Sequence, residues 1–291
     1  MNDNVIALIK QKESSFSKGQ RRIADFIINE YDKAAFMTAH KLGEKTDVSE
    51  STVVRFAMEL GFNGYPHMQK AMQKMIRNKL TTLQRIEVTR SNFDKDDVLS
   101  SVMSYDVANV RQTLAGLSND SFSKSVDTIV SAKCVYVIGL GSCRALGIFL
   151  ANYLKLLLID VRLVSATSEA EIFEELLNLN EDDVVIAFSF PRYSTRAVKA
   201  MHFAHSRGTK IIAITDSESA PFAHYATHLL LAHSDMATIV DSLVAPMSVI
   251  NALVVAISLR KEEKITERLY ELEKLWEEYD VYQTLPEGME V

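Results

Sequence analysis

Cysteine is scarce in this sequence, which contains only Cys134 and Cys143 among 291 residues. Two thiols are too few for a disulfide framework or for a zinc site built on cysteine. Long apolar runs are also lacking, because the most apolar stretch, Leu243–Leu259, is interrupted by a proline, an asparagine and two serines. We therefore expect this stretch to form a buried or interface helix rather than a membrane span. Since residues 1–4 are polar and acidic, unlike a signal peptide, we expect a cytoplasmic protein with no membrane partner.

A positive net charge is absent as well, since the whole chain carries −6. Such a balance normally argues against nucleic acid as a partner. The charge is unevenly distributed, however. Residues 1–90 carry 15 Lys and Arg against 10 Asp and Glu, a net +5, and the remainder carries 17 against 28, a net −11. An acidic C-terminal part thus hides a basic N-terminal part, and the chain is long enough for two domains.

The stretch Leu42–Gly61, LGEKTDVSESTVVRFAMELG, has the pattern of two short helices joined by a tight turn. Gly43 is a small residue where two crossing helices need close backbone approach. Asp47 occupies the turn position that usually holds glycine with positive φ, a conformation that aspartate tolerates better than most residues. Ser49 is predicted to cap the second helix with its hydroxyl, and Gly61 to end it. The apolar residues predicted to bury the facing sides are Leu42, Val48, Val53 and Phe56.

The outer side of the second helix carries hydroxyls and one guanidinium. Such groups near a helix N-terminus are suited to the DNA major groove, and we predict binding to operator DNA arranged as an inverted repeat. An ordinary two-helix corner is the alternative. Basic side chains within 65–80 are predicted to contact the DNA backbone, although a solvated charged face explains them equally well. The candidate DNA-binding residues are Ser49, Ser51, Thr52, Arg55, Lys70 and Lys74.

Farther along, the pattern changes from helices to apolar strands that alternate with helices. We predict an all-α helix-turn-helix domain over 1–80, a linker and connecting helix over 81–120, an α/β domain over 121–265, and a C-terminal helix and tail over 266–291. Continuous apolar strands separated by helices indicate a parallel sheet flanked by helices on both faces, with flavodoxin-type layering. The predicted strands are Val135–Ile138, Val161–Val164, Val184–Phe188, Lys210–Thr215 and His228–Leu231.

Loops rich in glycine and hydroxyl side chains follow the predicted strands, at the edge where parallel sheets bind ligands. Gly139–Arg144 begins like a dinucleotide fingerprint but has Arg144 in place of the third glycine, so the close helix–strand packing of that motif is not expected. Free backbone N–H groups there are still suited to an anion. Ser189–Thr195 and residues 215–219 add hydroxyls, and the set favours a phosphorylated sugar. For any single serine, helix capping is the alternative.

Two parts of the chain together resemble the RpiR family of bacterial transcriptional regulators. Val48–Phe56 and the following Leu-Gly-Phe are similar to the helix-turn-helix of that family, and Gly139–Ser142 and Ser189–Ser194 are similar to the sugar isomerase (SIS) domain fused to it. The resemblance implies a homodimer or homotetramer that binds operator DNA and responds to a phosphorylated sugar, with no cofactor.

The resemblance also implies which residues bind the sugar phosphate. Many SIS domains have Ser-Gly-x-Thr where this chain has Pro191–Ser194, so the usual contacts at Pro191 and Arg192 are in doubt, and Arg192 is expected to supply a charged contact instead. The sugar-phosphate-binding residues that we expect are Gly141, Ser142, Ser189, Arg192, Ser194 and Thr195.

A phosphosugar isomerase is the alternative function, because SIS folds also occur in aldose–ketose isomerases, which need a general base beside the sugar. Cys143 lies near a predicted helix N-terminus, where its pKa is expected to be lowered. Two pairs of histidines at helical spacing have no obvious third ligand, so no metal is expected. A sensor needs no catalytic residue, and we expect a regulator rather than an enzyme. The candidate bases for the alternative are Glu169, Glu171, His224 and His233.

Overall fold

The computed structural model describes residues 5–76, 83, 85–86, 89, 96–157, 160–166, 168–235 and 240–282, without the side chains of 74–76 and 262–264. The chain divides into two compact units, residues 1–101 with 236–240 and residues 102–235 with 241–291. We call them the head and the sheet unit. No single helix among the described residues is both long and apolar enough to cross a bilayer, and the one pair of helices that passes such a test together is bent by 106°.

The head is helical, and the apolar sides of its helices meet in one core. Ser17 starts the second helix with a capping box, in which its hydroxyl accepts the N–H of Gln20 and the Gln20 side chain accepts the N–H of Ser17. Ile23, Phe56 and Met68 come from three different helices and are fully buried together. Each such side chain stabilises the fold by about 1.5–3 kcal/mol. The helices are α1 (Val5–Lys12), α2 (Lys18–Asn29), α3 (Tyr31–Ala34), α4 (Ala39–Thr46), α5 (Glu50–Glu59) and α6 (Tyr65–Ile76).

The sheet unit contains five parallel strands in the order β2-β1-β3-β4-β5. The strands are β1 (Val135–Gly139), β2 (Val161–Val164), β3 (Val184–Phe188), β4 (Lys210–Thr215) and β5 (His228–Leu231). The remaining helices are α7 (Val98–Gly116), α8 (Asn119–Ser131), α9 (Arg144–Leu157), α10 (Glu169–Leu176), α11 (Thr195–Ser206), α12 (Val244–Arg260) and α13 (Glu262–Glu278). Gly139 is in register with Phe188, and Phe188 with Ile214, so the loops after β1, β3 and β4 leave the sheet at the same edge.

Helices cover both faces of the sheet, because successive residues of a strand point to opposite sides. Val135 and Val137 of β1 belong to a core shared with α8, α9 and α12. Tyr136 and Ile138 belong to a second core shared with α10 and α11. The predicted fold class, an all-α helix-turn-helix followed by a helix-flanked parallel sheet, is confirmed.

Candidate functional site

The turn between α4 and α5 has the backbone conformation that the sequence predicts. Asp47 lies in the left-handed region at φ 51° and ψ 52°. A Cβ atom added at Gly43 would lie 2.8 Å from the carbonyl oxygen of Val48, a distance that real Cβ atoms essentially never show. Gly61 follows α5 with φ 97°, another conformation that favours glycine. The predictions of close approach at Gly43, a left-handed Asp47 and an end to the helix at Gly61 are therefore confirmed.

Helix α5 has one buried side and one exposed side. Val53, Phe56 and Ala57 are fully buried in the head core, and Ser51 and Arg55 are exposed. Arg55 Nε donates a hydrogen bond to the carbonyl oxygen of Ser51 at 3.2 Å, which holds the guanidinium along the first turns of the helix. The exposed side thus presents hydroxyls and a positive charge together.

The predicted capping role of the Ser49 hydroxyl is wrong. Ser49 occupies the N-cap position, but its side chain makes no hydrogen bond to the backbone of α5. Its Oγ lies instead 2.9 Å from the hydroxyl of Ser51 and 2.9 Å from that of Thr52. Because a hydroxyl can both donate and accept, the three side chains satisfy one another, and they form a cluster at the exposed start of the helix.

The two lysines predicted to contact DNA phosphates, Lys70 and Lys74, both lie on α6. Lys70 is exposed on α6. Lys74 lies in the same helix, but its side chain is outside the described residues.

Glu59 at the end of α5 had no role assigned from the sequence. Its carboxylate accepts a hydrogen bond from the Gln20 side chain. The Lys12 side chain donates a hydrogen bond to the backbone carbonyl oxygen of Glu59, so α1 and α2 both contact the end of α5.

The loop after β1 is tightly packed and leads directly into α9. A Cβ at Gly139 would lie 2.4 Å from the carbonyl oxygen of Cys143, so only glycine fits. Gly141 has φ 61° and is exposed, as is Ser142. The expectation that close helix–strand packing is missing here is wrong. The third glycine of the fingerprint is expected at position 144, and Gly147 lies three residues later. It packs against Gly139, because a Cβ atom added at Gly147 would be 3.5 Å from the Gly139 nitrogen.

Cys143 connects this loop to the loop after β3. Its thiol is buried and contacts the backbone N–H of Phe190 and the side chain of Ser142. Burial raises the pKa of the Cys143 thiol to about 11, although these two contacts act in the opposite direction. The expected lowering of its pKa by the helix N-terminus is therefore wrong, because removal from water outweighs the helix dipole. This cysteine is a packing residue.

The loop after β3 holds most of the other predicted sugar-phosphate residues. Ser189 is buried, and its Oγ accepts the backbone N–H of Ser194 at 3.2 Å. The Ser194 hydroxyl caps α11 by accepting the N–H of Ala197 at 3.4 Å. Arg192 is exposed at φ 67°, a left-handed conformation that favours glycine, and Thr195 is exposed on the first turn of α11. The structure thus brings Ser189 and Ser194 together and leaves Arg192 and Thr195 on the surface.

Hydrogen bonds that the sequence did not indicate connect the loop after β3 to the end of β4. The Tyr193 hydroxyl lies 2.8 Å from Asp216 Oδ1, and the Thr215 hydroxyl donates to the carbonyl oxygen of Ser189 at 2.8 Å. The Tyr193 ring also packs edge-on against Phe222, with 6.4 Å between the ring centroids. Because Thr215 is the last residue of β4 and Asp216 follows it, these contacts join the loop after β3 to the loop after β4.

A small open cleft lies at the same sheet edge, on the β2 side of the β1 loop. Gly141 is the one predicted residue among those that line it. Arg144 of α9 and Arg196 of α11 both line it, and the sequence did not indicate Arg196 as a site residue. The other lining residues are Gly139, Leu140, Val164, Ser165 and Ala166.

The candidate bases for an isomerase are engaged elsewhere. Glu169 forms an ion pair with Lys199 at 2.6 Å, and Glu171 accepts the N–H of Ser168 in a capping box. The His224 ring lies against the Tyr225 ring at a tilt of 46°, with 3.9 Å between the ring centroids, and His233 lies 3.7 Å from Asp235. Among the described residues, no three His, Cys, Asp or Glu side chains are grouped so that they could hold a metal ion.

Comparisons with known proteins match both units. The model of the helix-turn-helix domain of the rpiR family matches residues 3–79, and the SIS domain model matches residues 128–256. The Escherichia coli HTH-type transcriptional regulator HexR is 23% identical over 274 residues, covering 91% of this chain and 92% of HexR.

Solved structures give the same picture. The sugar isomerase domain of an RpiR transcription factor from Sphaerobacter thermophilus is 30% identical, covering 60% of this chain and 97% of that one, with a TM-score of 0.57. NanR of Vibrio vulnificus, solved in complex with ManNAc-6P, is 18% identical, covering 97% of this chain and all of NanR, with a TM-score of 0.58. The likeness to NanR concerns the fold alone.

Proposed function

Because this chain belongs to the RpiR family of helix-turn-helix transcriptional regulators, we propose how its residues carry out sugar-phosphate-responsive regulation. Helix α5 enters the major groove of operator DNA, and a phosphorylated sugar binds at the loop edge of the sheet unit. The observation that carries the proposal is the exposed side of α5, where a hydroxyl cluster and a guanidinium stand on a helix whose other side is fully buried.

The groups on α5 are suited to different parts of DNA. The Nε–Ser51 bond uses one donor of Arg55, and its terminal N–H groups remain for the bidentate contact with guanine that arginine prefers. Ser51 and Thr52 would contact bases beside it. Ser49, Lys70 and Lys74 would contact phosphates, which position the protein without reading sequence. The net charge of +5 over residues 1–90 favours the approach to DNA.

The operator is an inverted repeat in this proposal, because a twofold dimer presents two heads related by the same symmetry. Helix α12 is the candidate dimer contact. Its inner side is buried in the sheet unit, while Val255 is 57% exposed and Leu259 is 68% exposed on the outer side. A second copy of the chain would cover these side chains.

The effector site would use the loops after β1 and β3. Gly141 offers a backbone turned to positive φ, and Ser142, Ser194 and Thr195 offer hydroxyls at the starts of α9 and α11. Backbone N–H groups at helix starts bind phosphate. ManNAc-6P, with which NanR was solved, is a sugar phosphate, and we infer the same class of ligand for this chain.

We infer a sensor rather than an isomerase. A base for isomerisation must reach a proton on the bound sugar, within hydrogen-bond distance or through one water. Glu169 and Glu171 are held in an ion pair and a helix cap, which favours structural roles for both. Incubating the full chain with a bound sugar phosphate and following the sugar by NMR tests this inference. Conversion to a ketose at a rate that falls in a Glu171→Gln variant would contradict it.

The DNA-reading proposal is tested with a duplex selected from a random library by the full chain and with a scrambled duplex of equal length. At fixed salt, Arg55→Ala should weaken binding to the selected duplex by about 1–3 kcal/mol and leave the scrambled duplex nearly unchanged. The control is Lys70→Ala, which should weaken both by the same factor and reduce the salt dependence. Equal losses on both duplexes for Arg55→Ala would show that Arg55 does not read bases.

A further inference from the structure

The cleft on the β2 side of the β1 loop is lined by two basic side chains. Arg144 and Arg196 come from different helices and line the same small space, together with the backbone of Gly139–Gly141 and with Ser165. No aspartate or glutamate is among the described residues that line it. The lining therefore carries positive charge at the edge where ligands of parallel sheets bind.

The positions of these arginines within their helices are unusual. Arg144 is the first residue of α9, Arg196 is the second of α11, and neither helix has an acidic residue in its first turn. A cation at a helix N-terminus opposes the helix dipole, which favours anions there. The neighbouring helix α10 follows the ordinary rule, with Glu169 and Glu171 in its first turn. The two arginines are thus placed against local helix stability on the walls of one cleft.

The sheet order separates this cleft from the hydroxyl-rich loop after β3. Strand β1 lies between β2 and β3. Neighbouring strands are about 4.8 Å apart, so the β2 and β3 sides of the edge are roughly 10 Å apart. An extended six-carbon chain with a phosphate at one end spans such a distance. One end would then lie at Ser189 and Ser194, and the other in the cleft.

We propose that the effector carries a second anionic group beside its phosphate, and that Arg144 and Arg196 bind it. This inference rests on the proposed function and specifies its ligand class as a phosphorylated sugar acid. The loop after β3 holds the phosphate, and the two guanidinium groups hold the carboxylate. Planar guanidinium groups match a carboxylate with paired N–H donors, whereas an uncharged sugar hydroxyl offers no charge to them.

The test uses the full chain and sets of ligands that differ in the oxidation state of carbon 1. Because an aldose 6-phosphate closes into a ring and its aldonic acid is an open chain, the open-chain alditol 6-phosphate is measured beside each aldose. Glucose 6-phosphate and glucitol 6-phosphate are paired with 6-phosphogluconate, and the mannose and galactose series are treated in the same way. Affinities are measured by titration calorimetry at fixed salt. We expect at least one acid to bind roughly tenfold or more tightly than its aldose partner, as a charged hydrogen-bonded pair contributes.

The variants separate the two anionic groups. Arg144→Gln and Arg196→Gln should each reduce the preference for the acid and leave the affinity for the aldose phosphate nearly unchanged. The control is Lys155→Gln, which removes a positive charge from the last turn of the same helix α9 and should leave the preference intact.

Four outcomes would overturn the inference. Equal binding of acids and aldoses would mean that no second anionic group is recognised, and equal losses for both in Arg144→Gln would mean that the arginine holds the phosphate itself. In either case the proposed function would stand. If both Arg144→Gln and Arg196→Gln still bound acids more tightly than aldoses, the carboxylate would lie outside the cleft. If neither class bound, both the inference and the proposed effector class would fail.

Discussion

Arg22 of α2 holds Asp47 at the turn of the helix-turn-helix by two hydrogen bonds. Its Nη1 lies 2.6 Å from the Asp47 carboxylate, and its Nη2 donates to the Asp47 carbonyl oxygen at 2.7 Å. The carbonyl bond fixes the backbone of the left-handed residue directly. Helix α2 is thereby tied to the turn that joins α4 to α5.

Substitutions at Asp47 should separate the backbone requirement from the ion pair. The Asp47 side chain is 93% exposed, so its pair with Arg22 contributes at most about 1 kcal/mol. Asp47→Gly loses the pair but adopts φ 51° freely, whereas Asp47→Ala loses the pair and also strains the backbone. We expect Asp47→Ala to be less stable than Asp47→Gly by about 1 kcal/mol in urea unfolding. Equal stability would show that the left-handed conformation is not maintained in solution.

Gly43→Ala should destabilise the head even though alanine is the better helix former. Its methyl group would have to displace the carbonyl oxygen of Val48, and overpacking against backbone costs about 1–3 kcal/mol. Gly19→Ala is the matched control, because its methyl would meet side-chain carbons rather than backbone, Val48 Cγ1 at 3.3 Å and Thr52 Cγ2 at 3.8 Å. Thermal unfolding should show a clear loss for the first variant and little change for the second. A gain of stability in Gly43→Ala would mean that the two helices are farther apart than described.

Removing both serine hydroxyls from the effector loops should uncouple sensing from DNA binding. The double variant Ser142→Ala, Ser189→Ala is expected to bind the selected duplex with unchanged affinity. An effector that changes the DNA affinity of the unmodified chain by about 5–150-fold should have no such effect on this variant. Ser206→Ala, at the far end of α11, is the control and should respond normally. A normal response in the double variant would remove these serines from the site.

The stability of the sheet unit should fall in mild acid because of His228. Burial, followed by the charges of Lys124 and Lys210, lowers the pKa of His228 below its ordinary value of 6.5. As the pH falls through that value, the unfolded chain takes up a proton before the folded one, so the free energy of unfolding decreases. His228→Gln should therefore show a smaller loss between about pH 7.5 and pH 5 in urea titrations. Identical losses in both proteins would contradict a lowered pKa.

Much of the fold is predictable because local patterns and tertiary packing agree. The central strands β1, β3 and β4 are short, almost wholly apolar runs, and the predicted limits of the five strands differ from the structure by one residue in β1 and by none in the others. Such runs are buried on both faces of a parallel sheet, so their composition alone identifies them. The turn at Asp47 was also predictable, since few residue types tolerate its backbone conformation.

The failures arise where a tertiary contact decides between local options. The Ser49 hydroxyl had a backbone N–H and two neighbouring hydroxyls available, and the sequence does not show which it binds. For Cys143, the position near a helix N-terminus predicts a lowered pKa, whereas burial of the thiol raises it. Arg196 reaches the cleft only because the crossover after β3 brings α11 beside the β1 loop. An arginine in a helix's first turn without an acidic neighbour was the one available signal.

The two sides of α5 have a consequence for how such a regulator diverges. Val53, Phe56 and Ala57 maintain the head, while Ser51 and Arg55 are exposed and take no part in its core. In the proposed mode of DNA binding, exchanges at the exposed positions are therefore expected to alter operator preference with little effect on melting temperature, since surface substitutions usually change stability by less than about 0.5 kcal/mol. On this proposal, a few mutations would be enough for new DNA sequences to be recognised, and the buried side of α5 would not need to change.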